Sequence, residues 1–123
     1  MHRIDLIVEP VVRIIQSHQF DLSTEKHLQE GIDNAFRQNG ILYEREKRIS
    51  PADILDFLVE DQIAVECKLR GKSRKIEIYR QLERYAGHTT VTAIVLVSNV
   101  AMGLPREIAG KPIYAASLSR GWL

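Results

Sequence analysis

The sequence predicts an α/β domain, a mixed β-sheet flanked by α-helices in the order α-α-β-β-β-α-β-(α)-β. Apolar residues recur at helical spacing in three segments, and ILDFLVEDQIAVECK, Ile54 to Lys68, reads as two strands joined by a short polar turn. TVTAIVLV, around Val91 to Val97, is an apolar β-branched run of the kind buried on both faces of a sheet. At 123 residues the chain, 1–123, is expected to form one domain with its own core.

The first helix runs from Arg3 to about His18, where Ile4, Ile7, Val8, Val11, Val12, Ile14 and Ile15 fall at mostly helical spacing and Pro10 is a local interruption. These residues cover more than one stripe, which makes the helix a candidate homodimer interface. The second helix is capped by Ser23 or Thr24, favoured by Glu25 in its first turn, and ended by Asn39-Gly40. Leu28, Ile32, Ala35 and Phe36 form its apolar face. Ile41 to Ile49 alternates loosely as a strand, and Ser50-Pro51 breaks it before the hairpin. Gly71 opens a loop into a third helix, about Ser73 to Tyr85, which Gly87 closes. After the buried strand come a loop with Gly103 and Pro105, a short helix near Arg106 to Ala109, and a last strand over Pro112 to Ala116.

Composition excludes several classes. Hydrophobic residues at 45% and charged ones at 27% are ordinary globular values, against disorder, collagen or coiled coil. A net charge of +1 argues against a binder held to nucleic acid by bulk charge alone. The single cysteine, Cys67, has no internal disulfide partner, and no His/Cys cluster has zinc-site spacing. No apolar run approaches the roughly 20 residues of a membrane span, and MHRIDLIVEPVVRIIQ carries acids and a proline where a signal peptide has an apolar core. The expectation is a soluble, cytoplasmic protein without a membrane partner. His2, His18, His27 and His88 are dispersed and read as surface or capping residues.

The chemistry concentrates in the hairpin. With a turn of Glu60, Asp61 and Gln62, Val59 faces Ile63, Phe57 faces Val65, and Asp56 falls opposite Glu66, with Lys68 on the same face. Like charges directly opposite in a sheet are destabilising unless a cation or protons neutralise them. A hard divalent ion such as Mg²⁺ suits the pair, since it is held by one or two carboxylates plus waters and substrate oxygens. Beside it the Lys68 ammonium could stabilise charge in a transition state or, deprotonated, accept a proton. A solvated edge hairpin would carry the same residues without a metal, and a one-residue register slip would separate the two acids.

Asp56, then Glu66-Cys67-Lys68 after a turn, with a glutamate on the preceding helix and Gln-x-x-x-Tyr on the following one, resembles the PD-(D/E)XK nuclease superfamily, which includes type II restriction enzymes and archaeal Holliday-junction resolvases. The resemblance spans about Glu30 to Val97 and implies a restriction-endonuclease-like fold, an αβββαβ core with an extra N-terminal helix. It implies that Asp56 and Glu66 hold Mg²⁺, with Mn²⁺ as a substitute, and that Lys68 serves the water nucleophile or the transition state. Glu30 matches the helix glutamate, and Gln81 and Tyr85 the Gln-x-x-x-Tyr. Pro51-Ala52-Asp53 departs from the literal motif and leaves Asp53 as a rival ligand; Asp56 is preferred because alternation puts Asp53 on the other face.

Between Lys68 and Arg84 lie Arg70, Lys72, Arg74, Lys75 and Arg80 against Glu77 and Glu83, a basic strip leading from the pair. Arg45, Lys47 and Arg48 add a second cluster. A polyanion on this strip would be positioned by phosphate contacts that read no sequence. The expected activity is Mg²⁺-dependent DNA endonuclease cleavage, structure-selective or weakly sequence-specific. A restriction or phage-processing nuclease, or a non-catalytic nucleic-acid-binding or assembly module of the same fold, remains the alternative, although a scaffold has no use for Asp56, Glu66, Lys68 and Gln81 together.

Overall fold

In the computed structural model, which describes residues 3–118, the chain forms α1 (Arg3–Gln16), α2 (Glu25–Gln38), β1 (Tyr43–Arg48), β2 (Ile54–Val59), β3 (Ile63–Lys68), α3 (Lys75–Ala86), β4 (Ala93–Ser98), β5 (Glu107–Ile108) and β6 (Lys111–Ser117). His2 lies outside the described residues. The strands make one mixed sheet in the order β1-β2-β3-β4-β6-β5. β1, β2 and β3 are antiparallel neighbours, β3, β4 and β6 run parallel, and β5 returns antiparallel on β6.

Two apolar layers hold the sheet. On one face α1 and α2 pack Val11, Ile15, Leu28, Ile32 and Phe36 against Phe57, Val65, Cys67, Val95 and Val97. On the other, α3 packs Ile78, Leu82 and Tyr85 against Leu55, Leu58, Ala64, Ile94 and Leu96. Every residue of β4 is buried, as its continuous apolar run predicts for a central parallel strand.

Local chemistry sets the boundaries. Thr24 caps α2, its Oγ1 accepting the His27 N–H at 3.0 Å, and Gly40, at φ 68°, supplies the left-handed residue after Asn39. Pro10 does not interrupt α1. The carbonyl it cannot reach belongs to Leu6, which is exposed, so water can take the missing bond. α1 also does not carry the surplus apolar surface expected of it: Val8, Val11 and Ile15 are buried, and Ile4, Ile7, Val12 and Ile14 pack against the same core. Only Leu6 is left as an exposed large apolar side chain on this helix.

The short helix expected near Arg106 to Ala109 does not form. Glu107 and Ile108 pair with Pro112 and Lys111 around Ala109 and Gly110, whose φ values are 50° and 78°. Two consecutive left-handed residues make a tight hairpin turn whose twist matches the strands, and that wins over one turn of helix. Among the described residues no helix is long and apolar enough to cross a membrane.

Candidate active site

The hairpin adopts the expected register, with Phe57 opposite Val65, Leu58 opposite Ala64 and Val59 opposite Ile63. The three-residue turn is possible because Glu60 and Asp61 both take left-handed backbone, at φ 53° and 59°. One residue beyond Phe57 the ladder changes character. The Asp56 N–H donates to Glu66 Oε1 at 2.8 Å, and the Cys67 N–H donates to Asp56 Oδ2 at 2.8 Å. Each carboxylate therefore caps a backbone donor of the other strand, which fixes both acids and leaves Asp56 Oδ1 and Glu66 Oε2 outside these bonds.

Strand β2 turns over at this point. Leu55 belongs to the layer under α3, whereas Phe57, two residues on, belongs to the layer under α1 and α2. Regular alternation would put both on one face. Opposite Asp56, between the Arg45–Phe57 and Lys47–Leu55 pairs, stands Glu46 at φ 53°. A non-glycine residue in left-handed backbone costs on the order of 1–2 kcal/mol, so the kink is held against a local cost.

Electrostatics set the pair apart from a surface hairpin. Glu66 is 2% exposed and is among the largest fully enclosed side chains. Burial first, and then the Asp56 charge, push its carboxyl well above the usual carboxylate range. Burial also raises Asp56, to about 6, against the lowering effect of the Cys67 N–H and the Lys68 ammonium. Cys67 faces the opposite, core side and is wholly buried, with its thiol pushed up chiefly by that burial. It is a packing residue here.

Lys68 is half-buried on the α3 side and lines a cavity of about 350 Å³ together with Lys72, Ser73, Glu77, Ile78, Gln81 and Arg84. Gln81 Nε2 donates to Tyr85 Oη at 2.9 Å, and that hydroxyl donates to the Ile54 carbonyl at 3.3 Å. The Gln-x-x-x-Tyr spacing thus ties α3 to the start of β2, two residues before Asp56.

Two expected residues are placed elsewhere. Glu30 is exposed and bonds Arg45 Nη1 at 2.9 Å, away from the acid pair. Asp53 faces α3 after all, because β2 turns over; what separates it from the pair is its engagement with Arg84 Nε at 3.2 Å and His88 Nε2 at 3.1 Å. Burial pushes its carboxyl up, but the bonds from His88 and Arg84 outweigh that and hold it below its usual range. His88 is thereby an internal partner, not a surface histidine.

Two acids that sequence reasoning did not single out take their place. Glu25, in the first turn of α2, accepts the Leu69 N–H at 3.0 Å, and its charge acts on both Asp56 and Glu66. Glu46 acts on Asp56 from β1. Glu25 stood in the sequence as a helix-start residue, a role that hid its reach to the end of β3; Glu46 carried no signal at all.

The basic strip is divided by use. Arg70 closes on Asn99, its N–H donating to Oδ1 at 2.7 Å, Arg74 pairs with Glu77, and Arg84 with Asp53. Lys72, Lys75 and Arg80 are exposed with no ion pair among the described residues.

A divalent cation fits the donor set at the pair: two fixed, acceptor-only groups with an unbonded oxygen each and a strong cost to carrying charge together. Among the described residues no group of three or more His, Cys, Asp or Glu side chains is placed to hold a metal. Asp56 and Glu66 would therefore hold it with waters and substrate oxygens completing its shell. No protein-family model, curated protein or solved structure matches the chain.

Proposed function

We propose that this domain is a Mg²⁺-dependent DNA endonuclease that hydrolyses phosphodiester bonds with structure selectivity or weak sequence specificity, on a restriction-endonuclease-like fold. The observation that carries it is the Asp56–Glu66 pair, buried and held by reciprocal backbone bonds, with Lys68 beside it at the wall of a cavity in which cations outnumber the one carboxylate, Glu77. When bound, the metal supplies Lewis-acid stabilisation of charge on the phosphoryl group and a lowered pKa for water. The chain itself does the rest. Asp56 and Glu66 would fix the position of the metal, Lys68 Nζ offsets the negative charge that develops on the phosphoryl oxygens, and Gln81 and Lys72 orient the phosphate in the cavity.

A second reading is favoured by one fact. Each acid already satisfies a backbone N–H, so the pair could be a clasp in a non-catalytic nucleic-acid-binding module. Supercoiled plasmid, linear duplex, single strands and a four-way junction, each with and without Mg²⁺ or Mn²⁺, separate the two. Metal-dependent cleavage of at least one supports the enzyme; binding without cleavage in either metal rejects it.

Phosphate contacts should be separable from chemistry. Arg74→Ala with Lys75→Ala is expected to weaken binding to all DNA sequences by about tenfold at moderate salt and to lower the slope of log affinity against log salt by about one to two. Fluorescence anisotropy across a salt series checks this. An affinity indifferent to salt would make the strip a solvated helix face.

One site cuts one strand, so paired cuts need a homodimer. The buried face of α1 is taken by the core, so an interface formed by α1 uses its outer side, where Leu6 is 62% exposed. Leu6→Glu, not a charge at the fully buried Val8, is therefore the expected route to monomers that nick without paired cuts. Light scattering that gave the wild-type monomer mass of 14.1 kDa at micromolar concentration, with and without DNA, would rule the dimer out.

A further inference from the structure

The strand register extends the site sideways. Lys68, Ser98 and Ser117 stand side by side across β3, β4 and β6, and Glu66, Leu96 and Ala115 form the row before them. All six share the parity of Ala64, Ile94 and Ile113, which face the α3 layer. α3 packs on Ile94 and Leu96 of β4, but beyond Leu96, toward Ser98 and Ser117, the face passes from the helix to a loop. The loop after β4 lies there instead and leaves a cavity of about 330 Å³, walled by Leu96, Met102 and Ile113, with Ser98 and Ser117 inside and Arg106 among its lining residues. Ser98 is one strand spacing from Lys68, about 4.8 Å, within a nucleotide's reach of the reacting phosphate.

The two neighbouring cavities differ in chemistry. The one at Lys68 is lined by three cations against one carboxylate, Glu77, which is itself paired with Arg74, and suits a phosphate. This one has no carboxylate and one cation, aliphatic walls, and a buried serine whose Oγ accepts the Val100 N–H at 2.9 Å, leaving its hydroxyl proton to donate. Such a lining suits a flat, uncharged, hydrogen-bonding ring. We infer that the cavity beside Ser98 binds the base of an unpaired nucleotide next to the cut, so that the preferred substrate is DNA with a bulged, flapped or frayed base at the scissile position. A stacked, paired base cannot enter without leaving the helix, which costs a few kcal/mol, whereas an unpaired one enters at little cost.

The inference rests on the nuclease reading, and the test keeps the two apart. Cleavage of a duplex with a single-nucleotide bulge is compared with that of the matched duplex for the wild type, Ala115→Leu and Ser117→Leu, two exposed positions that narrow the cavity from different rows. The wild type is expected to cut the bulged duplex about tenfold faster or more, and both variants to bring the ratio near one. With Asp56→Asn keeping the DNA intact, 2-aminopurine at the bulge should brighten on binding among aliphatic walls, and Ala115→Leu should remove that signal. An equal ratio for wild type and variants, or brightening indifferent to Ala115→Leu, overturns the pocket while leaving the nuclease standing. No cleavage of either duplex by the wild type overturns the nuclease and the pocket with it.

Discussion

Glu66→Gln is expected to raise the melting temperature of the metal-free protein at pH 7.5 by about 5 °C while abolishing Mg²⁺-dependent cleavage. The amide keeps an oxygen for the Asp56 N–H, so the clasp survives, but the buried charge and its repulsion with Asp56 are gone. Alanine would be a poorer probe, since it also orphans that N–H. The pH dependence has a definite sign. Both carboxyls titrate above their ordinary values in the folded state, so folding takes up protons between about pH 4 and 6 for Asp56 and further up for Glu66. The pair's contribution to the stability of the metal-free protein is therefore greatest below the ordinary carboxylate range and is lost as pH rises through about 6. The Asp56 shift alone corresponds to at most about 3 kcal/mol, less for its remaining exposure. Asp53, held low, contributes stability lost only below the ordinary carboxylate range, outside this window. Differential scanning fluorimetry at pH 5 and 7.5 should show the wild type melting lower at 7.5, Glu66→Gln changing less, and Mg²⁺ restoring the wild type at 7.5. A wild type that melts higher at 7.5 without metal would contradict the buried pair.

Lys68→Ala should lower kcat by two or more orders of magnitude and change DNA affinity by less than about threefold. Lys68 lies on the same face as Glu66, and its charge acts on both acids, whereas the exposed cations Lys72, Lys75 and Arg80 lie farther along the strip. An interaction made chiefly as charge develops on the phosphoryl group appears in kcat and not in binding. Single-turnover kinetics beside anisotropy would separate the two. Equal losses in affinity and rate would make Lys68 a phosphate contact only.

The acid pair was legible because hairpin register follows from turn length: Val59 opposite Ile63 puts Asp56 against Glu66 without knowledge of the rest of the fold. The six buried positions of β4 were legible for the same kind of reason, a local pattern with one reading. What failed depended on contacts distant in sequence or on backbone that breaks periodicity. Asp53 was assigned to the wrong face because alternation holds only while the strand stays regular, and the Glu46 kink reverses it. Glu30 was matched to the helix glutamate while Glu25 was read only as a helix-start residue, because helical position alone cannot say that Glu25 reaches Leu69, 44 residues on in the chain. The hairpin at Ala109-Gly110 was missed because alanine seldom takes left-handed backbone, so only the glycine announced the turn.

The most direct measurement is the nicking of supercoiled plasmid in Mg²⁺ by purified wild-type protein beside Glu66→Gln, with chelator as control. Nicking by the wild type that chelator stops, and none by a folded Glu66→Gln, is the predicted result. Equal nicking by the two proteins, or none by the wild type in either Mg²⁺ or Mn²⁺, would contradict a metal-dependent site at Asp56 and Glu66.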